Sequence, residues 1–182
     1  MSVKNISKIA EYKWKFVTNE MNLAIMLGSG LIMPPSGFGN KYYQDTLQWV
    51  PGWVPLFPNQ IQKKVFDYSA EEMPKTRAAC FLELDLKELS CTAWRYNGEI
   101  WQQIQFPEGL DGTEELLLLP APLPLSLINE RVYFVDSKQA NSFKRSLSDF
   151  GNLTLEPFKT GTRKAEFNKK GNFSWPVIVN NE

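Results

Sequence analysis

There is no histidine in this chain of 182 residues. That absence removes Ser-His-Asp and Cys-His catalysis and histidine general bases together, because each needs an imidazole that titrates near neutrality. Any chemistry must then rest on carboxylates, Lys, Arg, Tyr or a bound cofactor. Cysteine is scarce as well, with Cys80 and Cys91 as the whole complement. Two thiols without an imidazole cannot close a tetrahedral zinc shell, so no metal is expected and both cysteines read as small core residues. No apolar run reaches the ~18 residues of a membrane span. The opening MSVKNISKIAEY lacks the apolar centre of a signal peptide, which makes a cytoplasmic protein with no membrane association the expectation. Excess charge of one sign is missing too, since 20 basic residues balance 20 acidic ones.

What is present is apolar and aromatic. A content of 43% hydrophobic and 13% aromatic residues suffices for one sizeable core, so a single domain over residues 1–182 is expected. The balanced charge is unevenly spread. Glu71 to Glu115 holds ten acidic and four basic residues, whereas Lys138 to Lys170 holds eight basic and three acidic. The last quarter is either a face for an anionic partner, with Lys164, Lys169 and Lys170 contacting nucleic-acid phosphates, or a solvated helix face with a basic tail.

Periodicity supplies the elements. Val3 to Ala10 reads as a short amphipathic helix, and Tyr12, Trp14 and Phe16 alternate with lysines as a half-buried strand. A helix over about Glu20 to Leu27 follows, with Thr18 or Asn19 as N-cap, Gly28 and Gly30 at its end, and Leu23, Met26 and Leu27 as its buried stripe. Pro34, Pro35, Gly37 and Gly39 open a long aromatic loop running through Lys41, Tyr42, Tyr43, Trp49 and Trp53. Its rings either cover an edge of the core or wall a pocket for a flat ligand.

Ser69 and Glu72 form a capping box for a helical turn that Pro74 cuts short. Arg77 to Leu86 alternates as a strand, with Cys80, Leu82, Leu84 and Leu86 on one face. Thr92–Tyr96, Asn97-Gly98 and Glu99–Ile104 read as a hairpin on a two-residue type I′ turn, with Trp94 and Trp101 packing across it. Glu114 and Glu115 lead into Leu116–Leu119, a strand buried on both faces. Arg131 to Val135 is a further strand, Ser137 caps a helix to Phe150, and Leu153–Phe158 and Phe173–Val179 close the set around a Lys/Gly-rich loop.

The order of these parts resembles one family. Phe16-Val17-Thr18, Asn22-Leu23 and Leu27-Gly28-Ser29-Gly30-Leu31-Ile32 are similar to the opening of the DarT ADP-ribosyltransferases, where a strand ending in histidine-x-threonine leads to an Asn-Leu helix and a Gly-Leu turn. Trp53-Val54-Pro55-Leu56-Phe57, the strand Phe81 to Leu86, and Glu115-Leu116-Leu117 followed by Leu123-Pro124-Leu125 resemble later segments of that family. The resemblance implies an α+β fold, a mixed and twisted sheet with short helices, with the ADP-ribosyltransferase-like core over about 12–150 and a basic segment at 151–182. It implies that the strands 12–17 and 116–119 line one cleft.

It further implies NAD as cofactor, Glu115 as the catalytic residue, and Phe16, Thr18, Lys41 and Tyr43 about the cofactor. Phe16 stands where the family has its NAD-contacting histidine, and Lys41 is the nearest basic residue to the family's arginine. Two functions follow. One is transfer of ADP-ribose from NAD to a nucleic-acid base or a protein, in a toxin or phage-defence setting. The other is a catalytically degenerate module that holds single-stranded DNA or RNA, or a protein partner.

Overall fold

The structure, a computed structural model, describes residues 14–33, 52–58, 60–62, 65, 71–72, 75–76, 79–134, 159–162 and 172–174. It begins with strand β1, Trp14–Asn19, which starts within the expected strand and runs two residues further because the β-branched Val17 and Thr18 favour extended backbone. All six of its residues are buried, so it is not the half-exposed strand that alternation with lysine suggested. Helix α1, Glu20–Ser29, follows without a linker. Asn19, rather than Thr18, is the N-cap: its Oδ1 accepts from the Asn22 N–H at 3.0 Å. Gly30 ends the helix at φ 72°, and its N–H donates to the Met26 carbonyl at 2.8 Å. Leu23 and Met26 are buried as the spacing predicts, and Leu27 packs at the margin of the core.

The further strands, in chain order, are β2 (Leu31–Ile32), β3 (Trp53–Leu56), β4 (Gln60–Gln62), β5 (Glu71–Glu72), β6 (Lys75–Thr76), β7 (Ala79–Leu84), β8 (Cys91–Tyr96), β9 (Trp101–Phe106), β10 (Leu116–Pro120), β11 (Leu123–Pro124), β12 (Ile128–Phe134), β13 (Lys159–Thr162) and β14 (Asn172–Ser174). Two four-stranded sheets carry the architecture, in the orders β1-β7-β12-β13 and β3-β10-β8-β9. Their pairings are antiparallel except β12 with β13, which is parallel. The fold is thus α+β, with one mixed and one antiparallel sheet.

Among the described residues a seam at Lys15 and Phe57 joins the two sheets. Lys15 of β1 and Phe57, just past β3, exchange backbone hydrogen bonds of 3.0 and 2.9 Å. Trp14, Phe16, Leu82 and Leu84 from one sheet and Val54, Leu56, Ala93, Ile104, Leu117 and Leu119 from the other then share one buried cluster. Each such side chain contributes roughly 1.5–3 kcal/mol by leaving water.

Several local expectations are corrected. Glu71–Glu72 pairs with Lys75–Thr76 as a small antiparallel ladder, so Glu72 does not close a helical capping box. In β7 both faces are buried, with Phe81 and Glu83 as enclosed as Leu82, and β1 and β12 pair with its two edges.

The hairpin does not turn on two residues. Tyr96 pairs with Trp101, leaving residues 97–100 as a four-residue loop. There Asn97 Oδ1 accepts from the N–H groups of Glu99 (3.1 Å) and Ile100 (3.0 Å), a side-chain-made turn that competes with the tighter one. Trp101 accordingly stacks on Tyr96 at 4.8 Å, and Trp94 stands opposite Gln103.

Lys159–Thr162 is a strand beside β12 and not part of a loop. Leu116 to Leu119 is buried as expected, and the strand at Arg131 falls within β12. The helices expected over Val3–Ala10 and Ser137–Phe150, the strand over Leu153–Phe158 and the aromatic loop from Pro34 to Trp49 lie outside the described residues. No helix among the described residues is long and apolar enough to cross a membrane.

Candidate functional site

The contacts of Arg95, with burial, sort the two adjacent glutamates before any chemistry is assigned. Leu117 lies opposite Arg95, and Arg95 opposite Gln102, so the three share one sheet face. That face is apolar further along, where Ala93 meets Ile104, and it becomes polar at Arg95. The guanidinium donates to Gln102 Oε1 from Nε at 3.1 Å and from Nη2 at 2.6 Å. Its Nη1 pairs with the Asp111 carboxylate and donates to Glu114 Oε1 at 3.3 Å.

Glu114 is 3% exposed and fully engaged. Beyond Arg95, its carboxylate accepts from the N–H of Asp111 at 2.8 Å and of Gly112 at 3.0 Å. A buried carboxylate is tolerated only with such compensation, here one cation and two amides. Asp111 joins the cluster from its rim. The Arg95 guanidinium, aided by hydrogen bonds from Thr113, holds its carboxyl down at about 2.

Glu115 faces the other way and is exposed. Its N–H donates to the Tyr96 carbonyl at 2.8 Å, which fixes its backbone to the hairpin. Its carboxylate lies over Gly98, where a Cβ would come within 2.9 Å of Oε1. The Tyr96 hydroxyl donates to the Gly98 carbonyl at 2.7 Å, so ring, turn and carboxylate form one assembly.

Register relates this assembly to β1. Lys15 bridges to Phe57, and the preceding Leu56 pairs with Leu117. Continuing that pairing sets Glu115 level with Pro58, whose carbonyl accepts from Lys15 Nζ at 3.0 Å. The first strand and Glu115 therefore lie on either side of the β3 end, two inter-strand spacings or about 10 Å apart. At the end of β1, Thr18 and Asn19 join Asn22 in a buried polar group at the start of α1. Among the described residues the Asn22 side-chain amide is a buried donor, Nδ2, with no hydrogen-bond acceptor.

The sequence matches no family model and no curated protein. The fold is another matter. It is similar to Thermus sp. 2.9 DarT in complex with ADP-ribosylated ssDNA, with a TM-score of 0.59 and 13% identity over 84% of this chain and 94% of that one. The same protein in complex with NAD+, and in complex with carba-NAD+, gives a TM-score of 0.54 at 11% identity in each case, over 84% of this chain and 96% of that one. This chain has the DarT fold.

Within the DarT fold the sequence candidates separate clearly. Phe16 is wholly enclosed in the shared core opposite Leu82, and Thr18, opposite Cys80, is buried beside the start of α1. Glu115 is the exposed member of its pair. Lys41, Tyr43, Lys164, Lys169 and Lys170 lie outside the described residues. Cys80 and Cys91 are both free, and burial pushes the Cys80 thiol well up, which leaves it an inert core group.

Two residues escaped the sequence reading as candidates. Asn22 was visible only as part of the Asn-Leu pair, and nothing in the sequence marks its amide as buried and unsatisfied. Arg95 carried a fainter signal: it continues the core-facing series Cys91, Ala93 with a cation, and a cation on a core-facing position needs a carboxylate partner.

Proposed function

We propose that this chain is a DarT-like ADP-ribosyltransferase that takes ADP-ribose from NAD and transfers it to a base of single-stranded DNA. The fold shared with DarT in its NAD+ and ADP-ribosylated ssDNA complexes supports the reading. The observation that carries it to residues is the sorting of Glu114 from Glu115. Of the pair, only Glu115 offers an exposed carboxylate at the mouth of β10, two strands from β1 across β3.

In this reading NAD lies against the polar group at the start of α1. The Asn22 amide would donate to it, and Thr18 would line the same place. From outside the described residues, Lys41 would meet its negative charge and Tyr43 would flank nicotinamide. Phe16 supplies no donor and supports β1 from beneath. Lys164, Lys169 and Lys170 would contact phosphates of the acceptor strand.

In the transfer, the glycosidic bond between ribose C1′ and the nicotinamide nitrogen breaks, the electron pair leaves with nicotinamide, and C1′ bonds to a nitrogen of the acceptor base, which gives up a proton. Glu115 binds a ribose hydroxyl and stabilises the positive charge that develops on the sugar. Such a contact is worth most in the transition state, so its loss lowers turnover more than affinity.

The test is nicotinamide release from NAD with single-stranded DNA, RNA and protein acceptors, comparing the unmodified chain with Glu115→Gln and with the exposed control Glu108→Gln. Glu115→Gln should lose about a hundredfold to a thousandfold in kcat with NAD affinity unchanged, while Glu108→Gln matches the unmodified chain. One observation favours a second reading, a module that binds nucleic acid or protein without chemistry: the buried Phe16 replaces a cofactor-contacting group. No release with any acceptor, or equal release from all three proteins, would select it.

A further inference from the structure

Glu114 and its cation are placed too close to Glu115, and bonded too specifically, to be incidental to it. Three segments meet at this one carboxylate: β8 through Arg95, the 107–113 connection through the N–H groups of Asp111 and Gly112, and β10, which begins two residues on. Arg95 in turn is fixed to β9 through two bonds to Gln102 and to the connection again through Asp111. The side chain of Glu114 is 1% exposed and that of Arg95 14%, so solvent does little to loosen their pairing. One peptide bond further along, the Glu115 N–H is held by Tyr96, the strand neighbour of Arg95. The backbone from which the Glu115 side chain leaves is therefore held from both sides, by its own amide and by the anchored residue before it.

We infer that Arg95 and Glu114 are positioning residues for Glu115: the buried ion pair locks the β9–β10 connection so that the neighbouring exposed carboxylate meets the reacting sugar in one fixed orientation. The inference rests on the proposed transferase reading, and it assigns work to two residues that touch neither cofactor nor acceptor. Fixed orientation matters because displacing a catalytic group by about 1 Å can cost on the order of a hundredfold in rate. Glu114→Gln keeps the size of the side chain and an oxygen for one amide, but it removes the charge that holds Arg95.

The experiment is a double-variant cycle on nicotinamide release: unmodified chain, Glu114→Gln, Glu115→Gln and the two together, with thermal melting of each. The expected result is a loss of about tenfold to a hundredfold in kcat for Glu114→Gln, with KM for NAD changed less than about twofold and no further loss when Glu115 is already Gln. A merely structural role would lower the residual rate of the Glu115→Gln protein as well. If Glu114→Gln does not fold, Asp111→Asn takes its place: it releases Arg95 from the rim, leaves the Glu114 amide bonds intact, and should show the same pattern with a smaller loss. Unchanged kcat in the Glu114 variant, or additive losses in the double variant, overturns the positioning role alone. Equal release from the unmodified and Glu115→Gln proteins, or none from either, overturns the transferase reading and the positioning role together.

Discussion

The Glu115 amide donates to the Tyr96 carbonyl at 2.8 Å, one step before Leu116 takes up its pairing with the same tyrosine. The exposed glutamate is thus held by the end of a ladder rather than by a free loop. Side chains on strand ends inherit the rigidity of the sheet behind them. The residues of the hairpin turn consequently act on Glu115 directly.

Gly98 is the nearest of them. It sits at φ 94°, a conformation that costs an L-residue roughly 1–2 kcal/mol, and an added methyl would approach Glu115 Oε1. Gly98→Ala should therefore lower the denaturation midpoint by an amount equivalent to about 1 kcal/mol and swing the Glu115 carboxylate aside. Urea titration reads the first effect and nicotinamide release the second. Unchanged values in both would show that the turn and the glutamate are independent.

Asp111 gives a pH signature. Its carboxyl is held at about 2 in the folded chain, chiefly by Arg95, against an unfolded value of about 3.9. A depressed folded value means stabilisation that is complete above the unfolded value and fades as pH falls from about 4 to about 2. Melting curves of the unmodified chain and Asp111→Asn should differ above pH 5 and converge near pH 2. A gap that stays constant over this range would contradict the pairing.

Asn22 is testable by ligand rather than by rate. Saturating NAD at a hundred times its dissociation constant stabilises a protein by about 2.7 kcal/mol. Asn22→Ala should shrink that gain while leaving the melting temperature without NAD nearly unchanged, because the amide Nδ2 has no acceptor to lose. A full NAD response from the variant would place the cofactor elsewhere.

The sequence carried the local part of this fold well. β1, α1 with both caps, β7 and β10 all follow from periodicity, from a capping Asn and from Gly30, signals that act within a few residues. Pairing across the chain was less legible. Alternation cannot tell that β7 is covered on both faces, since that depends on which distant segments pack over the sheet, and Asn-Gly favours a tight turn only when the Asn side chain is not spent on two later amides. At the candidate site, the Glu-Glu pair was readable but its sorting was not. That needed Arg95, which lies 19 positions upstream of Glu114 and meets it only through the sheet.

The seam at Lys15 and Phe57 also acts as an index mark for β1. Side chains along a strand alternate, so a slide of one position would exchange Trp14 and Phe16, which belong to the cluster shared by the two sheets, for Lys15 and Val17 of the other buried face. The ammonium of Lys15 reaches the Pro58 carbonyl in one frame alone, and in that frame Thr18 and the capping Asn19 arrive at the start of α1. Proofreading of strand parity is thereby written into the same lysine that stitches the sheets together.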